Sequence, residues 1–174
     1  SQWFANNYAA QYRMTSYLWK DPNITPTPPN NLPLTKYFRD TGYVIWRTGW
    51  GDNDLLFAFK SGNPWGHAHP SQNEFGVYYQ GKPITAGVGY WLYVPTWPHN
   101  VMLVNGEGQV DDSRYIGKIL TVEEKSPYYR YLLGDATAPY QGTLDKWLRH
   151  VVFMEPNYFV MYDEVAASSP KQFD

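Results

Sequence analysis

Four histidines are present, and three of them are spaced for chemistry. His67 and His69 form an H-x-H pair. In an extended segment side chains alternate, so both imidazoles would project from one face. Such a pair can chelate a cation, or place one ring on a metal and the other on a substrate. Zinc accepts imidazole nitrogen readily and wants three or four ligands. His99 follows Trp97-Pro98 and precedes the apolar run 100–104, so a neighbouring strand can bring it to the pair. Taken alone, H-x-H equally describes two loop histidines. His150, between Arg149 and Val151 in a strand-like run, reads as structural. Asn73 and Asn100 can hydrogen-bond the histidine-bearing backbone or orient an imidazole. Asn73 is also a candidate substrate contact.

Trp65, Tyr90, Trp91, Tyr93 and Trp97 lie beside these histidines in sequence. Tyr and Trp combine a flat apolar face with a polar handle. A sugar-stacking platform and simple core packing are both open to them. The same choice applies to the whole composition, in which 8 Trp, 16 Tyr and 8 Phe make up 18% of 174 residues. An aromatic excess suits carbohydrate recognition, and it suits a β-rich core equally well.

Other classes are disfavoured. A net charge of −2 gives no basic footprint for nucleic acid or an anionic membrane. No apolar run approaches the roughly 18 residues of a membrane span. Cysteine is absent, which removes disulfides, thiolate metal sites and cysteine nucleophiles. No Gly-rich phosphate loop precedes a helix, and no G-x-S-x-G elbow occurs.

The elements that must position the histidines are β-type. Residues 1–20 have near-helical apolar spacing and end at Asp21-Pro22. Five prolines between Pro22 and Pro33 then mark an extended linker, which places a boundary at 33/34. Short aromatic and β-branched runs follow at 43–47, 54–60, 74–79, 84–86, 100–104, 118–122, 128–133, 147–154 and 158–165. Asn105-Gly106 is a strong hairpin turn pair. The expected fold is mainly β, an antiparallel β-sandwich over 34–174 with a short N-terminal helix. Lys171-Gln172-Phe173-Asp174 reads as the opening of a further strand, so the chain is expected to be a section of a longer one.

The order of motifs narrows the function. Gly66-His67-Ala68-His69-Pro70-Ser71-Gln72-Asn73-Glu74-Phe75 is followed by Gly81-Lys82-Pro83-Ile84, Gly87-Val88-Gly89-Tyr90 and His99-Asn100-Val101-Met102-Leu103-Val104-Asn105-Gly106. Tyr37–Tyr43, Gly134–Thr137, Arg149–Phe153 and Tyr162–Val165 flank them. This order resembles the β-domain of the heparinase II/III-like polysaccharide lyases, including the alginate-lyase branches, over about residues 35–174. The family pattern is a G-H-x-H-x-D-x-N-x-F stretch, a D-x-G-Y stretch, then H-N and a strand.

The resemblance implies a C-terminal sandwich behind an α/α toroid, with residues 1–20 as the last toroid helix. It implies cleavage of uronic-acid polysaccharides by β-elimination. A base removes the C5 proton, the uronate carboxylate is neutralised, and an acid protonates the leaving oxygen. His67 falls on the sandwich-borne active-site histidine, in carboxylate contact or acid–base assistance. His69 and His99 fall on zinc-ligand positions. Gly87 stands where the third ligand, an Asp, is expected, and Ser71 where another Asp is common. Glu74 could substitute as a ligand. Trp65, Tyr90, Trp91 and Asn73 are the substrate contacts. The family's main Tyr and His or Asn catalysts lie in the toroid, outside these residues, so the enzyme assignment belongs to a parent chain. Implied partners are an acidic polysaccharide and that toroid, with no nucleic acid or membrane. The implied location is periplasmic or extracellular. The alternative is a non-catalytic carbohydrate-binding or structural β-sandwich.

Overall fold

The computed structural model describes residues 21, 23, 25, 27–63, 69–85, 94–125 and 127–174. The expected helix at 1–20, His67, Trp65, Gly87, Tyr90, Trp91 and Tyr93 lie outside the described residues. The chain divides into two compact units, Ser1–Pro33 and Leu34–Asp174. Among the described residues of the first, the proline stretch contains a 3-10 turn at Pro29–Asn31. The second holds the strands.

Two antiparallel sheets are built in chain order. The first comprises β1 (Thr35–Phe38), β2 (Tyr43–Arg47), β3 (Leu55–Lys60), β4 (Glu74–Tyr79) and β5 (Lys82–Pro83). The second comprises β6 (Lys118–Lys125), β7 (Tyr129–Asp135), β8 (Lys146–Met154) and β9 (Tyr158–Ala166). Alternation dictates the layering. In β3, Leu55, Phe57 and Phe59 are buried while the residues between them are half-buried. In β8, Trp147, Arg149, Val151 and Phe153 are the buried set. The two inner faces meet in one core containing Val44, Trp46, Phe57 and Phe59 from the first sheet and Leu132, Val151 and Phe153 from the second. This is the expected β-sandwich.

Aromatic rings cross the layer boundary. Phe57 stacks on Trp46 at 5.1 Å and on Phe159 at 5.0 Å, and Phe159 stacks on Phe153 at 4.6 Å. Part of the aromatic excess is therefore core. A smaller cluster around Val104, Tyr140 and Trp147 closes one end.

Two expected strands are corrected. In the run 84–86, Ile84 and Thr85 do not form one: the hairpin after β4 closes at Gln80-Gly81, strand pairing takes in Lys82 and Pro83, and the Ile84 N–H donates to the Val77 carbonyl at 2.7 Å, while Ala86 lies outside the described residues. Residues 100–104 do not form one either. Only Val104 bridges, to Glu107 and to Phe173. Asn105 and Gly106, with φ of 53° and 79°, turn the chain tightly, as their pairing predicts. The C-terminal residues, read as a strand opening, do lie alongside: Leu103 and Asp174 exchange backbone hydrogen bonds of 2.8 and 3.1 Å.

Candidate functional site

The site begins where β3 ends and β4 starts. Lys60 and Glu74 stand opposite each other in that register. The loop between them returns through His69–Asn73, and its geometry is set by buried polar groups. Asn73 adopts φ of 62°, a left-handed conformation that Asn tolerates better than most residues. Its side chain is fully buried and donates to the Gly134 carbonyl at 3.2 Å. Asn73 therefore has no surface to offer a saccharide. It holds the turn, and its expected role as a substrate contact is corrected accordingly.

Gln72 and Gln109 clamp the same loop. The Gln72 backbone N–H donates to Gln109 Oε1 at 2.6 Å, and Gln109 Nε2 donates back to the Gln72 carbonyl at 2.8 Å. Thr96 Oγ1 donates to the Pro70 carbonyl at 2.9 Å, which ties this loop to the segment carrying His99. The His99 N–H itself donates to the Thr96 carbonyl at 3.0 Å.

These ties bring His69, Glu74 and His99 together. The His69 and His99 rings lie 5.2 Å apart between centroids. His99 Nδ1 is 2.6 Å from Glu74 Oε1, with the histidine side chain 5% exposed and the glutamate 24%. With Nδ1–H donating to the carboxylate, Nε2 presents its lone pair. That Nε2 is buried and has no hydrogen-bond partner among the described residues.

Electrostatics favour the ionised carboxylate of Glu74. Burial pushes the Glu74 carboxyl upward. The His99 hydrogen bond and charge, the Ser71 hydrogen bond and the Lys60 charge outweigh that and hold it below its usual value. His69 is shifted down, first by burial and then by the charges of His99 and Lys60, against the pull of Glu74 and Asp111. A depressed histidine pKa keeps the ring neutral, the form that ligates metals.

A second tier comes from the opposite sheet. Arg149 of β8 reaches across the layer. Its Nη1 donates to the carbonyls of Asn73 at 2.9 Å and Asn100 at 2.7 Å, the neighbours of Glu74 and His99. Asp163 of β9 holds the same guanidinium through Nε and Nη2, both at 2.8 Å. Asn100 Nδ2 donates to the Phe75 carbonyl at 3.0 Å. Asn100 thus serves the backbone, as one of its two sequence readings had it.

The spacing of histidines did not point to Lys60, Gln72, Gln109 or Arg149. One of them left a legible signal. Arg149 occupies an inward parity in a strand whose other inward residues are Trp147, Val151 and Phe153, and a charge there must find a partner. His150, on the outward parity, accepts or donates to the Tyr131 hydroxyl at 2.9 Å and is structural. Trp97 is 70% exposed and is not part of the core.

A donor set of two imidazoles, one with an orphaned buried nitrogen and a carboxylate behind it, fits a zinc ion on two of its positions. Among the described residues no group of three His, Cys, Asp or Glu side chains completes it.

The antiparallel sandwich is of the class the sequence marked, and comparison gives its family. Residues 30–174 match the heparinase II/III-like C-terminal domain, and the chain belongs to that family. It is 23% identical to the heparin-sulfate lyase of Bacteroides stercoris, over 78% of this chain and 21% of that protein. Its fold is shared with a heparinase III structure at TM-score 0.72 and 19% identity, covering 99% of this chain and 28% of that one. It is shared too with the heparan sulfate lyase HepC from Pedobacter heparinus, at TM-score 0.63 and 21% identity, covering 97% and 26%. The chain thus spans between 21% and 28% of the length of these relatives.

Proposed function

We propose that this chain is the β-sandwich part of a polysaccharide lyase that cleaves uronic-acid-containing polysaccharides by β-elimination. The observation that carries the reading is the convergence of His69, His99 and Glu74 within a domain of the heparinase II/III-like family. The sandwich supplies a histidine flank to an active site whose principal acid and base reside elsewhere in the parent chain. His67, two residues before His69, is the side chain assigned to the substrate carboxylate or to proton transfer.

His69 and His99 are the residues that would hold zinc. Bound there, the ion would supply fixed positive charge. The protein's own part is to deliver the two nitrogens. Glu74 fixes the His99 tautomer, burial keeps His69 neutral, and Arg149 with Thr96 hold the two loops in register. Periplasmic or extracellular action on an acidic polymer follows from this reading. No helix among the described residues is long and apolar enough to cross a membrane.

The test is turnover of the full-length parent on a panel of uronic-acid polymers, followed by the absorbance of the unsaturated product. His67→Ala is expected to abolish the rise and leave folding intact. If no polymer gives a rise, the lyase reading fails and the carbohydrate-binding alternative takes its place.

A further inference from the structure

Registers across the first sheet define three outward rows. Phe38, Tyr43, Lys60 and Glu74 form the first. Lys36, Ile45, Ala58 and Gly76 form the second. Arg47, Leu56, Tyr78 and Pro83 form the third. Residues directly opposite share a face, and the buried set Val44, Trp46, Phe57 and Phe59 lies on the other one.

This outer face is unlike the chain as a whole. It carries three cations, Lys36, Arg47 and Lys60, and one carboxylate, Glu74, which is committed to His99. None of the three cations makes an ion pair among the described residues. Arg47 lies over the Trp50 ring at 4.4 Å and Lys36 over Phe38 at 5.7 Å. Among the described residues Lys60, half-buried, makes one long hydrogen bond, to Ser71 Oγ at 3.4 Å, beside the attraction of the Glu74 charge. An ammonium has three donors, so most of its capacity is unspent.

A cleft of about 430 Å³ opens on the same face. Lys60 and Glu74 line it, small Ala58 and Gly76 leave its floor open, and Tyr43 and Tyr78 form its sides. Both tyrosines are partly exposed, at 40% and 46%. Lys60 stands between Tyr43 and Glu74 in the first row, and Tyr78 lies two rows along on β4, so the depression offers a cation with ring faces to either side of its length, a receptor for an anionic group on a flat polar body.

We propose that the outer face of β2–β4 binds the acidic groups of a saccharide chain, with Lys60 as the central cation, Tyr43 and Tyr78 stacking on the sugar rings, and Lys36 and Arg47 meeting further acidic groups. It rests on the polysaccharide reading above and assigns the residues that would hold that polymer. Net charge of −2 provides no long-range attraction for a polyanion, so affinity must come from cations placed locally. From strand and residue spacings, Lys60 lies roughly 12 Å from Lys36 and roughly 14 Å from Arg47 along the sheet. That spread suits an extended charged chain rather than one small anion. A partly buried cation is also screened less by salt than a surface one.

Calorimetric titration of the chain tests this with three probes of equal length: a heparan sulfate oligosaccharide, an unsulfated heparosan oligosaccharide, and a neutral dextran. Lys60→Gln is expected to weaken acidic-saccharide binding at least tenfold with unchanged thermal unfolding, and Lys60→Arg to restore much of it. Lys82→Gln, a lysine of β5 on the other parity, is expected to leave affinity unchanged. Loss on both acidic probes identifies the carboxylate as the bound group, and loss on the sulfated probe alone identifies sulfate. Either result supports the surface. Affinity of Lys60→Gln within twofold of wild type, equal binding of dextran, or an equal loss in Lys82→Gln overturns it. A parent without elimination activity that still binds through Lys60 defeats the lyase reading alone. A parent whose turnover and KM are untouched by Lys60→Gln defeats this surface alone.

Discussion

At the residue scale the informative contact is Glu74 with His99. The carboxylate orients the ring by accepting from Nδ1, which leaves the buried Nε2 uncommitted among the described residues on a ring 5.2 Å from that of His69. Removing the negative charge while keeping the shape isolates that role. Glu74→Gln is expected to weaken zinc binding about 10- to 100-fold, as outer partners of ligating histidines commonly do. Competition against a chromophoric chelator measures it, and an unchanged affinity would remove Glu74 from the site. The same carboxyl makes a pH prediction. Its folded pKa lies below its ordinary value, so the folded chain binds fewer protons there than the unfolded one. The stability it contributes is full above the unfolded carboxylate range and is lost as pH falls through the folded value. Urea unfolding of metal-free protein from neutral pH downward should therefore show a shallower acid-side loss in Glu74→Gln than in wild type. Equal slopes would mean that the carboxylate gains nothing on folding. The histidine types and order were legible in the sequence. Glu74 was legible only as a possible ligand, because its pairing with His99 depends on a loop return that no local pattern encodes.

At the scale of elements, strands were readable and their connections were not. Alternating apolar runs marked β2, β3, β4 and β6–β9, since one buried face imposes a period of two. The run 100–104 has the same composition and still forms no strand. Among the described residues its bridges are Val104 to Glu107, across its own tight turn, and Val104 to Phe173 of the short C-terminal segment, and a ladder cannot extend without a neighbour. What fixes this segment is Arg149, whose Nη1 takes the Asn100 and Asn73 carbonyls together. Arg149→Met removes both hydrogen bonds and takes this donor from the buried Asn73 carbonyl, the part-buried Asn100 carbonyl and Asp163. A loss of about 3 kcal/mol is expected, read as the shift in urea midpoint. Arg149→Lys keeps the charge but loses the fork, so it should recover only part of the stability and little of the zinc affinity. Full recovery of both would reduce Arg149 to a charge. Gly134 tests the same joint from the opposite side. A Cβ there would fall 2.3 Å from Asn73 Oδ1 and 2.6 Å from Phe59 Cζ. Gly134→Ala must displace the Asn73 turn, and zinc affinity should fall along with stability.

At the scale of the molecule, the aromatic excess resolves into two populations. One joins the sheets: Trp46 and Phe57 from the first layer stack with Phe153 and Phe159 from the second. The other stays accessible, with Tyr43 and Tyr78 over the outer face and Trp97 at 70% exposure. Composition could not separate them, because strand parity decides which ring turns inward, and parity follows from register. Two inward arginines reinforce the inter-sheet contact. Arg149 acts as described, and Arg130 of β7 donates to the Arg47 carbonyl of the first sheet at 2.8 Å. Layers joined this way should unfold as one unit, and Phe57 is the residue on which to test it. Fully buried, it touches Trp46 and Phe75 in its own sheet and Phe159 in the other. Phe57→Ala removes the ring from both contacts and leaves a cavity at the seam. The expected cost is about 3–5 kcal/mol, or roughly 10–20 °C in Tm for a domain of this size. Near-ultraviolet circular dichroism reports the stacked rings and far-ultraviolet circular dichroism reports the strands. If the seam couples the layers, both signals move to the same lower midpoint in the variant. If the near-ultraviolet signal melts first while the strand signal keeps its wild-type midpoint, the sheets are independently stable and the aromatic seam does not hold the sandwich together.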